Sequence, residues 1–100
     1  MNNKPRILKA FEALDTEIQE QIKLAYPEGF KDYLIKFANK DGEYQSGLPF
    51  ETEEKYYLVK MTSEEARILI AEDDDYDDDG NLRDNVREEF EDKYDEDDDY

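Results

Sequence analysis

Charge divides this chain into two unequal parts, and the division limits what each part can fold into. Residues 71–100 hold seventeen Asp and Glu against three Lys and Arg, whereas residues 1–70 hold thirteen against ten. Of the net charge of −17, −14 falls in the last thirty residues and −3 in the first seventy. Dense like charge repels itself and resists compaction, most of all in Glu72–Asp79, where seven of eight residues are carboxylates. The core is therefore expected in residues 1–71, a compact α+β domain, and residues 72–100 are expected to form an acidic arm. A field of this sign attracts basic proteins and cations and repels nucleic acid and anionic membranes.

A chain of 100 residues is one domain's worth, with a thin core. Within it, Ile7, Leu8, Phe11 and Leu14 fall at helical spacing after Pro5, which suits a first turn. A second helix is expected from Asp15 or Thr16, with Gln19 placed for a capping box, an apolar stripe of Ile18, Ile22, Ala25 and Tyr26, and a stop at Pro27 and Gly29. From Asp32 the period changes to alternation, which predicts a strand. Asn39-Lys40-Asp41-Gly42 then supplies a hairpin turn, with Gly42 at positive φ. Tyr44, Leu48 and Phe50 mark a second strand. Pro49 cannot donate to a ladder, so that strand must end near Leu48 or lie at an edge there. Lys55–Met61 is the clearest strand, rich in aromatic and β-branched residues, with Tyr56 and Tyr57 on opposite faces. Thr62 and Glu65 form a capping box for a helix that buries Ala66, Leu69 and Ile70. The expected fold is thus α+β: a three-stranded antiparallel β-meander, two helices before it and one after. Beyond it lies the acidic helical and disordered arm.

In the arm, Leu82, Val86, Phe90 and Tyr94 recur every four residues. They predict an amphipathic helix over about 82–94, with Asp95–Tyr100 as a disordered tail. A tail that only confers solubility needs no apolar stripe. Leu82, Val86, Phe90 and Tyr94, with Asp73 and Asp74, are therefore the candidate partner-binding residues, for docking on a basic protein surface. The alternative for the stripe is a helix folded back onto the sheet.

Two other chemistries bear on this sequence. The segment Asp75-Tyr76-Asp77-Asp78-Asp79-Gly80-Asn81-Leu82 matches the start of an EF-hand calcium loop, with Asp75, Asp77 and Asp79 as side-chain ligands, Gly80 at the sharp turn and Asn81 offering its carbonyl. The match breaks at the twelfth position, where Val86 stands in place of a bidentate Glu. A divalent-cation-binding protein is accordingly the alternative function. Catalysis is not expected. The chain has no His, no Cys and four glycines, none in a phosphate-binding loop. No run approaches the roughly 18 apolar residues of a membrane span, and Met1–Lys9 has no signal-peptide core. These absences point to the cytoplasm, with no membrane and no direct nucleic-acid contact.

Leu48-Pro49-Phe50-Glu51-Thr52, followed by Tyr56-Tyr57-Leu58-Val59-Lys60-Met61 and an acidic tail, resembles a small family of uncharacterised acidic bacterial cytosolic proteins. That resemblance implies a bacterial, cytosolic setting and no assigned activity. In outline alone, a compact domain with an Asp/Glu tail is similar to the delta subunit of bacterial RNA polymerase, whose motifs are not present. The function expected from the sequence is a small acidic protein-interaction or regulatory module.

Overall fold

The structure, a computed structural model, describes residues 4–94. The expected tail over Asp95–Tyr100 lies outside the described residues. The fold is mixed α+β, with strands β1 (Arg6–Ala10), β2 (Ile35–Ala38), β3 (Tyr44–Glu51) and β4 (Tyr56–Lys60) and helices α1 (Thr16–Ala25), α2 (Ser63–Ala71) and α3 (Asp84–Lys93). The strands form one sheet in the order β1-β4-β3-β2.

The antiparallel meander is present as β2-β3-β4. Its hairpin turn forms as the sequence predicts. Asn39 accepts hydrogen bonds from the backbone of Asp41 and Glu43 through Oδ1, and Gly42 sits at φ 81°. Such φ values are open to Gly and costly for other residues. The first strand starts later than Asp32, because Lys31–Tyr33 close a 3-10 turn and pairing begins at Ile35. β3 runs through Pro49 to Glu51. Pro49 is tolerated because β2 ends opposite Gly47, leaving β3 a neighbour on one side only at that point.

The N-terminal helix predicted over Ile7–Leu14 is not formed. Arg6–Ala10 is instead a fourth strand, paired in parallel with β4 from Arg6↔Tyr56 to Ala10↔Lys60, and Phe11–Ala13 make one 3-10 turn. A helix of so few residues is marginal in isolation. β4, flanked by β3 on one side, would otherwise present a full row of unpaired backbone groups on the other. Pairing satisfies that row, while the 3-10 turn still delivers Phe11 and Leu14 to the core. The helical spacing was real for Phe11 and Leu14, and long-range pairing decided the rest.

α1 begins where the sequence places it, but without a capping box. Asp15 at the cap makes no side-chain hydrogen bond. Gln19 turns back to donate from Nε2 to the carbonyls of Phe11 and Leu14, at 3.0 Å each. The capping box at Thr62 and Glu65 is present in full.

Pairing registers sort the side chains by face. Leu48 and Phe50 of β3 stand beside Val59 and Tyr57 of β4, and this face packs against α1, the Phe30 loop and α2. Phe30, Ile22, Leu48 and Val59 are fully buried, each contributing on the order of 1.5–3 kcal/mol of burial. All helices that contribute to this core lie on one side, and the shortest principal extent is 20 Å, about two layers thick. Tyr57 is half-buried against Phe50, and its neighbour Tyr56 lies on the other face with Lys4 and Arg6 over its ring.

Candidate functional site

The sequence directs attention to residues 72–94, and the structure shows how this acidic segment is held. Its first contact is an ion pair with two carboxylates on one cation. Lys23 of α1 has a side chain only 11% exposed, and its Nζ lies 2.6 Å from Asp73 and 2.9 Å from Asp75. Burial works against the ammonium. The hydrogen bonds and charges of Asp73 and Asp75 more than offset it and leave the Lys23 pKa above its ordinary value. Between these two carboxylates and the next three stands Tyr76, 3% exposed. Its ring meets Phe30 edge-on with centroids 6.1 Å apart, and its hydroxyl donates to the carbonyl of Tyr26 at 3.0 Å. Burial, with the charges of Asp73 and Asp75, pushes this phenol far above the ordinary tyrosine range.

The chain then reverses. Asp77 accepts hydrogen bonds from the backbone of Asp79 and Asn81 through Oδ1, Gly80 takes φ 83°, and Tyr76 and Leu82 pair across the turn. Leu82 is buried, and its N–H donates to the carbonyl of Pro27 at 2.7 Å. Arg83 ties the two limbs, donating to the Asp75 carbonyl from its backbone and to the Asp74 carbonyl from Nε. α3 follows and packs on α1. Phe90 is buried at 5% exposure, Val86 and Tyr94 are half-buried, and Tyr94 and Lys93 both donate to Glu20 of α1. Burial would raise the Glu20 pKa, but those two hydrogen bonds and the Lys93 charge outweigh it and hold it below the ordinary carboxylate value.

The candidate residues therefore fall into different environments. Leu82 and Phe90 are both buried, Phe90 on the helix that packs on α1 and Leu82 beside Tyr76 and the Pro27 carbonyl. Val86 and Tyr94 lie at the margin of that contact. Asp73 is half-buried on Lys23, and Asp74 is exposed. For the proposed cation ligands, the carboxylate of Asp75 is on Lys23, that of Asp77 caps the turn, and Asp79 is exposed. The carbonyl of Asn81 accepts from the N–H of Asp77 at 2.8 Å. Among the described residues, no three His, Cys, Asp or Glu side chains are grouped so as to hold a metal ion.

The expectation that Glu72–Asp79 would resist compaction misjudged the run. Its alternation of Asp73, Asp75 and Asp77 places two carboxylates on one buried ammonium and one on backbone donors, while Asp74, Asp78 and Asp79 stay in water. The sequence reading missed Lys23, Tyr26, Glu20 and Tyr76. A signal was available for Tyr76, because a large aromatic amid seven carboxylates has no role in a solvated linker. For Lys23 the signal was weak: a cation beside the apolar stripe of α1.

Comparison with family models, curated proteins and solved structures returned no match to this chain. Among the described residues, no helix is long and apolar enough to cross a membrane.

Proposed function

We propose that this chain is a small protein-interaction module that presents an ordered acidic surface, carried by residues 72–94, to a basic surface of a protein partner. The observation that carries this reading is the pinning of the segment. Lys23, Tyr76, Leu82 and Phe90 fix its backbone, while Asp74, Asp78, Asp79, Asp84, Glu88 and Asp92 remain exposed. Carboxylates on a fixed backbone lose less freedom on binding than those on a free tail, and their summed field steers a basic partner at long range. With Leu82 and Phe90 engaged internally, attraction rests on charge, with Val86 and Tyr94 as flanking apolar contacts. The absence of His and Cys supports a binding role rather than a catalytic one.

The test is binding kinetics of the full chain with a Lys/Arg-rich peptide and with proteins captured from the source cells, at several ionic strengths. The variant Asp74→Asn/Asp78→Asn/Asp79→Asn keeps the pinned residues. Slower association and a flatter salt dependence are expected for it, with release little changed. Equal association rates for variant and parent would overturn the reading. A calcium titration followed by NMR checks the alternative: saturable shifts confined to residues 75–86 would replace this proposal with divalent-cation binding.

A further inference from the structure

The helices that build the core all lie on one side of the sheet, so the sheet's other face is open. The registers place Arg6, Leu8 and Ala10 of β1 beside Tyr56, Leu58 and Lys60 of β4, and Ile35 and Phe37 of β2 beside Gly47 and Gln45 of β3. None of Leu8, Ile35, Phe37 and Leu58 joins the core cluster, and Leu8 and Ile35 are 50% and 47% exposed. Leu58 lies flat over Gly47, where an added Cβ would come within 3.0 Å of its Cδ1. The result is a shallow apolar trough of about 470 Å³ floored by Leu8, Phe37 and Leu58. Apolar side chains grouped on an exposed sheet face are one mark of an interaction surface.

Charge specifies what covers it. Arg6, Lys40 and Lys60 line the trough against one carboxylate, Asp41. Among the described residues none of these three cations has an ion-pair partner, while Glu51, on the same face, is held by Lys4. In a chain of net charge −17, this face is locally basic as well as apolar. Nucleic acid, with a phosphate at every step, would meet the field of the whole chain. A helix with an apolar stripe and a few flanking carboxylates matches the trough and its cationic rim while carrying far less charge.

We propose that the open face of the sheet is a second docking surface, which takes an acidic amphipathic helix of a partner protein. The apolar stripe lies along Leu8, Leu58 and Phe37, and its flanking carboxylates pair with Arg6 and Lys60. The occupant forms a second helical layer, opposite α1. This surface is separate from the acidic segment 72–94, and its test stands whether or not that segment binds a basic partner.

The experiment uses the full chain labelled with nitrogen-15 and three synthetic helical peptides: a Leu/Phe stripe flanked by Glu, the same stripe flanked by Lys, and a scrambled Glu-rich control. Saturable shifts are expected with the Glu-flanked peptide at Arg6–Ala10, Ile35–Ala38 and Tyr56–Lys60. Affinity should be about tenfold or more weaker for the Lys-flanked peptide and for the variants Leu8→Asp and Lys60→Glu, the scale of losing one anchor. Leu8 and Lys60 are both exposed, and a melting curve verifies that each variant folds. Should one be destabilised, the other still decides. Absence of saturable shifts, shifts located on α2 or α3, or equal affinity for the two flanked peptides would overturn the proposal. So would a dimer in sedimentation that Leu8→Asp abolishes, which would give the face to a second copy. A short single-stranded oligonucleotide that saturates the same residues would give it to nucleic acid.

Discussion

Lys23→Met isolates the ion pair that holds the acidic segment. Methionine keeps the unbranched stem that lies in the α1 surface and removes the charge. In the parent protein the Lys23 side chain is 11% exposed, but Asp73 and Asp75 are 22% and 33% exposed. Breaking a fully buried pair costs about 3–5 kcal/mol, because the surviving charge is stranded. An exposed pair contributes about 0–1 kcal/mol. Here the surviving carboxylates reach water by small side-chain rotations, so the cost falls between these limits, at about 1–3 kcal/mol. Residues 72–94 carry twelve carboxylates against three cations, so loss of Lys23 also unmasks repulsion, which salt screens.

Native-state hydrogen exchange reads the result segment by segment. Amides of Tyr76, Leu82 and α3 should lose about one to two orders of magnitude of protection, the factor that 1–3 kcal/mol represents. Amides of β3 and β4 should change much less, because the core they belong to does not contain Lys23. Added salt should recover part of the loss. The double variant Asp73→Asn/Asp75→Asn should behave more mildly, because it removes repulsion along with attraction. If Lys23→Met leaves protection in 72–94 unchanged, or lowers it uniformly through the sheet, the ion pair is not what pins the segment.

Phe90→Ala should lower the melting temperature, because it empties a buried site between α3 and α1 and such truncations cost about 3–5 kcal/mol in a full core. Truncation after Ala71 removes Tyr76, Leu82 and Phe90 together, about 1.5–3 kcal/mol of burial each before entropy. Its thermal melt should fall well below the parent's, and a curve superposing on the parent's would show that residues 1–71 carry the stability alone. For the parent, raising salt from low to moderate concentration should raise the melting temperature, as repulsion within 72–94 is screened. At high pH, Lys23 and Tyr76 both have folded-state pKa values raised above 10.5 and 10.0. Their contributions are therefore complete below about pH 10 and are lost as pH rises further, so near-ultraviolet dichroism should report undocking there. At low pH, Glu20 is lowered from 4.5; the α3 contact should be intact above that value and weaken as pH falls below it.

Local chemistry was legible wherever the sequence used local rules. The Asn39–Gly42 turn, the β4 strand and the Thr62–Glu65 capping box all formed as predicted, because each depends on residues within a few positions of one another. β1 was misread for the opposite reason. Its pairing partner lies some fifty residues away at Tyr56–Lys60, and a five-residue edge strand has almost no pattern of its own. The same limit hid the site's supports. Lys23 meets Asp73 and Asp75, Tyr76 meets Tyr26, and Tyr94 meets Glu20 across comparable separations.

The acidic segment shows why a count of charges is a poor guide to disorder. Repulsion among carboxylates depends on where they point, and a chain folded through successive turns can send one set inward and the other outward. Asp73 and Asp75 point to one ammonium, and Tyr76, directly after them, goes to the core with its hydroxyl paired. The cost of gathering two like charges is thereby offset by a cation that would itself be costly to bury alone. The outward set keeps its charge in water and its positions fixed. A partner that displaced Lys23 from Asp73 and Asp75 would have to leave that ammonium unpaired at the α1 surface. Binding through the outward carboxylates has no such penalty. Asp74→Asn should therefore weaken association with a basic probe while leaving exchange protection at Tyr76 unchanged, whereas Asp73→Asn should change both. Equal effects of the two substitutions on both measurements would mean that the inward and outward carboxylates are not divided in this way.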